Sequence, residues 1–145
     1  MNPRQFVGTI YLGDRACKSI LIDGWNSRVY IHVDAISRIR SPSGNWEFYT
    51  DEDILEGRIV FTDVDSIAID PSGCLPNDSI ESLNVESLSK HTGGDESEGF
   101  LFKLQVFSAQ KREPANASYV KVTVSIRAKS IHLEDPSRPG VEIRE

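Results

Sequence analysis

The sequence predicts a mainly β fold, an antiparallel β-sandwich or open barrel with one or two short helices. Three observations support this prediction. Short stretches that alternate apolar or β-branched residues with polar ones recur along the whole chain. Turn residues such as Gly, Pro, Asn and Asp separate these stretches about every 8–12 residues, as is typical of sandwiches and barrels. No stretch longer than about 12 residues has clean helical periodicity, which argues against a doubly wound α/β fold.

The first half of the chain predicts strands separated by tight turns. "FVGTIYLG" and "CKSILID" are three residues apart and predict a first hairpin, and Gly24 and Asn26 mark the turn that follows. In "RVYIHVDAISRIR" the apolar phase shifts, which predicts a bulge or a bend near Asp34–Ala35. The predicted strands of this half are residues 6–13, 17–23, 28–40 and 46–49.

The second half contains the strongest strand pattern, "YVKVTVSIRAKSIHLE", whose phase flips at Ala128–Ser130 and predicts another bulge or break. Residues 79–90 fit a helix capped by Asp78 and Glu81 and also fit a strand, which their alternation favours. The predicted strands of this half are residues 58–61, 64–70, 79–90, 100–107, 119–134 and a last edge strand in 141–145. Polar, Gly-rich residues predict a flexible loop at 91–99, and a C-terminal tail is predicted from about residue 136.

The length of 145 residues fits one globular domain spanning the chain. A domain of this size buries enough surface to fold without a metal or a disulfide. With no secretion signal, Cys17 and Cys74 are therefore predicted to be free thiols. Cys17 lies between Arg15 and Lys18, which would lower its pKa if their charges were close, but an ordinary strand cysteine is the simpler interpretation.

The net charge of −6 is unevenly spread along the chain. Residues 1–50 carry +2, residues 51–100 carry −11 and residues 101–145 carry +3. An acidic middle argues against a nucleic-acid partner, because phosphates would be repelled, and it would speed the approach of a basic protein. The N-terminus lacks a signal-peptide pattern, and no apolar run approaches the ~20 residues of a membrane helix. We therefore expect a cytoplasmic protein that does not bind membranes.

The stretch "YTDEDILEG" at residues 49–57 carries four carboxylates in nine positions. As a calcium loop of the EF-hand type it fails, because the required oxygen ligands, Gly and Glu fall at the wrong positions. A short helix fits better, with Thr50 as N-cap, three acidic residues in the first turn and Gly57 at the C-cap.

Two tetrapeptides, "IHVD" and "IHLE", place a histidine and an acid on one face of a strand. If the two strands were neighbours, four side chains could form a metal site; these are His32, Asp34, His132 and Glu134. Two solvated polar faces are the simpler interpretation, so we expect no metal and no cofactor. The chain also lacks the common nucleotide, hydrolase, metalloprotease and redox motifs, so we expect no enzymatic activity.

The remaining candidate chemistry is protein binding. A tryptophan in a turn is a frequent interface anchor, and the carboxylates that open the acidic segment could meet a basic partner. The predicted partner-binding residues are Trp25, Asp51, Glu52, Asp53, Glu56, Asp63 and Asp65. Competing interpretations are a small-ligand or metal-binding β-barrel with enzymatic activity, and a homo-oligomer subunit joined through its edge strands.

Residues 11–78 resemble a family of small bacterial proteins known only as a domain of unknown function. The resemblance rests on "YLGDR", the strand end "SRIR", the run "WEFYTDEDI" and "PSGCLPND". That family supplies no catalytic residues to transfer. In size, acidity and single-domain character the chain is also similar to bacterial immunity proteins, which neutralise toxins by direct binding. This similarity implies an inhibitor that covers the active site of a basic toxin.

Overall fold

A computed structural model describes residues 1–47, 52–88, 99–109 and 120–145. These residues form one short helix and three antiparallel sheets without a closed barrel, which confirms the mainly β sandwich. The elements are α1 (Pro3–Val7), β1 (Ile10–Tyr11), β2 (Cys17–Asp23), β3 (Arg28–Val33), β4 (Ala35–Arg38), β5 (Glu52–Leu55), β6 (Arg58–Thr62), β7 (Ser66–Asp70), β8 (Ile80–Ser87), β9 (Phe100–Ser108), β10 (Val120–Ala128), β11 (Ser130–Glu134) and β12 (Glu142–Ile143).

The largest sheet has five strands in the order β12-β11-β6-β3-β2. Alternate residues of its central strands point into the core, as the period of two in the sequence requires. Ile31 lies opposite Ile59 and Val29 lies opposite Phe61, and all four side chains are buried. The last strand, β12, pairs with β11 at the edge, as the sequence predicted.

The second sheet has four strands in the order β7-β10-β9-β8. Its core face carries Val122, Val124 and Ile126 from β10, each fully buried. Phe61 and Phe102 meet between the two sheets with ring centroids 4.9 Å apart and planes at 61°. This edge-to-face contact lies in a single apolar cluster that joins the sheets.

Two pairs of consecutive strands pass from one sheet to the other at a common corner. β6 leads into β7 and β10 leads into β11, and the crossing segments bond to each other. The amide of Asp65 donates to the carbonyl of Arg127 at 3.0 Å, and that of Lys129 donates to the carbonyl of Thr62 at 3.2 Å. The predicted break at Ala128–Ser130 is this corner, and the predicted bend at Asp34 separates β3 from β4.

The predicted first hairpin is wrong. Residues 3–7 form α1, and the short β1 pairs with β4 rather than with β2. The helix begins with a capping box: the Gln5 amide donates to the side chain of Asn2 at 2.9 Å, and the Asn2 amide donates to the side chain of Gln5 at 3.1 Å. Pro3 lies in the first helical turn, where the N–H that proline lacks would have no acceptor within the helix.

Other predictions can be checked at single elements. Residues 80–87 form a strand, as the alternation favoured. The predicted strand 46–49 is not seen at Trp46 and Glu47, and its other two residues lie outside the described ones. Most of the predicted loop 91–99 also lies outside them, with Gly99 the exception. No helix in the described parts of the chain has both the length and the apolar character needed to cross a membrane.

Candidate functional site

The acidic stretch 52–56 is a strand and a turn, not the predicted helix. β5 pairs with β4, so that Glu52 lies opposite Arg38 and Asp53 opposite Ser37. Ile54 alternates into the core, where it is buried opposite Ile36. The chain then turns at Glu56, whose φ of 54° is left-handed. The core contact of Ile54 and the pairing with β4 override the local helix signals. Thr50 and Asp51 lie outside the described residues.

The carboxylates of this stretch are paired with cations. Each is partly exposed, but each has a basic side chain from a distant part of the sequence within 4 Å. The pairs are Glu52 with Arg40 (3.1 Å) and Arg138 (3.6 Å), Asp53 with Arg15 (3.8 Å), and Glu56 with Lys18 (2.8 Å) and His32 (2.6 Å). The hydrogen bond from Lys18 is the main reason why the pKa of Glu56 is lowered. These pairs leave little free negative charge on β5.

The turn between β2 and β3 presents Trp25 to solvent, with 97% of its surface exposed. Two apolar side chains of the edge strand β2 are also exposed, Leu21 at 58% and Ile22 at 54%. Consecutive strand residues point to opposite faces, and of these two only Ile22 lines the groove described below, so we call Ile22 and Trp25 the hairpin surface. The sequence carried a signal for exposed apolar residues on β2: "SILID" has three apolar residues in succession, and an alternating strand cannot turn all three inward.

Hydrogen bonds fix the shape of the turn that carries Trp25. The Asp23 carboxylate accepts from the Asn26 amide at 3.2 Å and from the Asn26 side chain at 2.8 Å. The side-chain bond is the largest of the three effects that lower the pKa of Asp23, ahead of the bond from the Asn26 amide and the charge of Arg28. Outside the hairpin, the Val64 amide donates to the carbonyl of Ser27 at 2.8 Å. The turn that carries the exposed indole is therefore held by hydrogen bonds within the turn and by one from the connection between β6 and β7.

The Ser27–Val64 hydrogen bond places two more predicted binding residues beside the turn. Asp63 and Asp65 flank Val64 in the connection from β6 to β7. Asp63 has no ion-pair partner among the described residues, and Asp65 lies 3.9 Å from Arg127 with 74% of its side chain exposed. The structure thus places Asp63 and Asp65 next to the turn that carries Trp25. It places Glu52, Asp53 and Glu56 elsewhere, each with its own cation.

A surface groove lies next to the hairpin surface. Its volume is about 330 Å³, and Ile22, Val64 and Ile67 supply its apolar lining. Asp23 and Asp65 lie on its rim. The groove is open to solvent, whereas a small-ligand site encloses most of its ligand. It therefore suits a protein segment better than a small ligand.

The four residues considered as candidate metal ligands do not converge. His32 and His132 lie on β3 and β11, and β6 runs between those strands. Asp34 turns its carboxylate to the amides of Ala16 and Ala35, both at 2.9 Å. His132 is fully buried, with its Nε2 3.2 Å from Glu134. Among the residues that the structure describes, no group of three His, Cys, Asp or Glu side chains could hold a metal ion.

Cys17 and Cys74 are both buried free thiols, as predicted. The suggested lowering of the Cys17 pKa by Arg15 and Lys18 is wrong, since burial raises that pKa to about 11. The two cations have other partners: Arg15 donates a hydrogen bond to Ser37 at 2.7 Å, and Lys18 donates one to Glu56. Cys17 is therefore a structural core residue.

Comparison with known proteins yields one match. The model of a family described as "Family of unknown function (DUF6258)" matches residues 1–145, the whole chain. No curated protein and no solved structure matches the chain. The match confirms a domain of unknown function, over the full length rather than over residues 11–78 alone, and it assigns no activity.

Proposed function

Since the chain belongs to this family of unknown function, we propose its function from its own surface: it is a non-enzymatic protein-binding module. In its most concrete form it is an immunity-type inhibitor that covers the active site of a basic toxin domain in the bacterial cytoplasm. The hairpin surface, together with Asp63 and Asp65, is the docking site.

The exposure of Trp25 carries this proposal. Burying an exposed tryptophan yields a large apolar contact, and tryptophan is enriched among the residues that dominate interface energies. The bonds from Asp23 and Val64 hold the turn before a partner arrives, which lowers the entropy lost on binding. A hairpin tip of this kind can enter the cleft of a partner and block it.

The ion pairs of the structure change which of the predicted carboxylates we assign to the docking site. Glu52, Asp53 and Glu56 stabilise the fold through their cations, so we remove them from the docking site. Asp63 remains beside the hairpin surface, where a basic partner would meet it. Asp65 is kept with it because 74% of its side chain is exposed, although Arg127 lies 3.9 Å away. Lysine or arginine around the partner's cleft would complement these two carboxylates.

The binding test uses the protein encoded immediately upstream of the gene for this chain, which this proposal expects to be a basic toxin domain. We expect the two purified proteins to form a complex by isothermal titration calorimetry. Trp25→Ala should weaken this complex at least about 30-fold, the effect of losing a contact worth about 2 kcal/mol.

Leu55→Ala is the matched control, since Leu55 is also a large exposed apolar residue, at 71%, but lies on β5. It should leave the affinity unchanged. An upstream protein that does not bind, or that binds the Trp25→Ala variant as tightly as the wild type, contradicts the proposed docking site.

A further inference from the structure

The strand β7 has an open edge beside the docking site. Among the described strands it pairs only with β10, and it forms one end of the four-stranded sheet. The main-chain groups on its other side are therefore available to a further strand. Ser66, Ala68 and Asp70 face solvent along β7, while Ile67 and Ile69 are half-buried.

The groove described above runs along the start of this edge. Ile67 contributes to its lining from β7, and Ile22 and Val64 contribute from the other side. A strand added to β7 would point alternate side chains toward the half-buried face of β7, where Ile67 meets the groove. Apolar side chains at those positions would cover surface that the fold leaves partly exposed.

The charges around the groove indicate which side chains would alternate with the apolar ones in the added strand. Asp23 and Asp65 lie at the groove, and Asp70 lies on the solvent face of β7 with no ion-pair partner among the described residues. Arg28 also lines the groove and contributes one positive charge. Three carboxylates and one cation therefore flank the path of an added strand, and the excess of negative charge favours lysine or arginine in it.

We propose that the partner supplies an extended segment of alternating apolar and basic residues, which adds to the edge of β7 as a fifth strand of the four-stranded sheet. This inference rests on the proposed protein-binding function and specifies its mode. Main-chain hydrogen bonds supply affinity, and the groove selects the apolar side chains. Trp25 and the added strand then engage two neighbouring parts of one partner.

The test uses a ten-residue peptide of alternating valine and lysine with the full-length protein. We expect amide hydrogen exchange of residues 66–70, followed by NMR, to slow at least tenfold when the peptide is bound. The same peptide with N-methyl groups on every amide lacks main-chain donors on both edges and should give no protection. A valine–glutamate peptide should bind at least tenfold more weakly.

Two charge reversals locate the peptide. Asp70→Lys should weaken binding of the valine–lysine peptide about tenfold, whereas Glu86→Lys on β8, at the opposite edge of the same sheet, should not. Absence of binding, protection of β8 instead of β7, or protection that survives N-methylation would each overturn strand addition. The peptide offers no cleft for Trp25, so Trp25→Ala should leave its binding intact. Failure of the peptide test thus leaves the Trp25 docking site standing, and failure of the Trp25 test leaves strand addition standing.

Discussion

Two tryptophans show how the same residue type takes different roles. Trp46 stacks on Tyr11 with ring centroids 4.9 Å apart and planes at 13°, so it packs against the fold. Trp25 is almost fully exposed on a braced turn. The sequence distinguished the two because Gly24 and Asn26 surround Trp25, whereas Trp46 and Phe48 share one face of the predicted strand 46–49. It could not show that Asp63 and Asp65 would lie beside the turn that carries Trp25.

Burial of Cys17 predicts a pH dependence of stability. Its pKa is about 11 in the folded protein and 9.0 in the unfolded chain, so folding holds the thiol protonated. This contribution is fully present below pH 9.0 and is lost as the pH rises toward 11. Urea unfolding should show the wild type losing stability more steeply than Cys17→Ala between these values. Parallel pH profiles would show that Cys17 ionises equally in both states.

Arg38 is a buried cation that forms no ion pair with any carboxylate in the described part of the chain. Its Nη2 donates to the hydroxyl of Thr9 at 3.0 Å and its guanidinium lies 5.3 Å from the Phe6 ring centroid, while its Nε and Nη1 have no hydrogen-bond partner among those residues. Burial, rather than the neighbouring Arg40, is the main reason why its pKa is lowered to about 10.

Replacing this charge with an apolar side chain should stabilise the fold. We expect Arg38→Met to raise the free energy of unfolding by about 1–3 kcal/mol. Methionine removes the buried charge, and its side chain is similar in length to the apolar stem of arginine. Chemical denaturation measures this change. The matched control is Arg40→Met, since Arg40 is 40% exposed in its side chain and pairs with Glu52. A loss of stability in Arg38→Met would mean that the Thr9 and Phe6 contacts outweigh the desolvation of the charge.

At the scale of elements, β5 shows why local signals failed. Thr50, three acids and Gly57 are favourable helix ends, but Ile54 must reach the core beside Ile36. Strand pairing with β4 places Ile54 opposite Ile36 in the core, and a helix of the same residues would lose this pairing register. α1 shows the opposite error, since its capping box of Asn2 and Gln5 is a local signal that the strand pattern concealed.

Gly57 is required by close packing rather than by a helix end. A Cβ placed there would lie 2.7 Å from Cδ1 of Ile36 and 3.1 Å from Cγ2 of Ile54, both buried. Gly57→Ala should therefore cost about 1–3 kcal/mol of unfolding free energy, as overpacking does in well-packed cores. Gly24→Ala is the control, because a Cβ there meets nothing within 4 Å. Equal stability of the two variants would contradict the close contact.

At the scale of the whole molecule, ion pairs among the described residues offset part of the uneven charge of the sequence. Strand pairing brings the basic first and last thirds of the chain against its acidic middle. Further pairs of this kind are Glu81 with Lys121 at 2.7 Å and Glu86 with Lys103 at 3.7 Å. A net charge summed over 50 residues therefore does not describe a surface.

This pairing of charges predicts which carboxylates steer a basic partner. The double variant Asp63→Asn and Asp65→Asn should slow association with the upstream-encoded protein about 3–10-fold at low salt, and the difference should shrink at high salt. The double variant Glu52→Gln and Glu56→Gln should change the rate little. Stopped-flow fluorescence of Trp25 measures these rates. Equal slowing by both double variants would mean that β5 also faces the partner.

The sequence by itself determined the mainly β class, most strand positions, the bends at Asp34 and Ala128–Ser130, and the exposed turn at Trp25. These depend on alternation and turn residues, which act between neighbours along the chain. Only the tertiary structure decided that β6 separates the two histidine strands, that 52–56 is a strand, and which carboxylates keep free charge. Those outcomes depend on pairing between segments far apart in sequence, and neither residue type nor spacing specifies which strand will supply the partner.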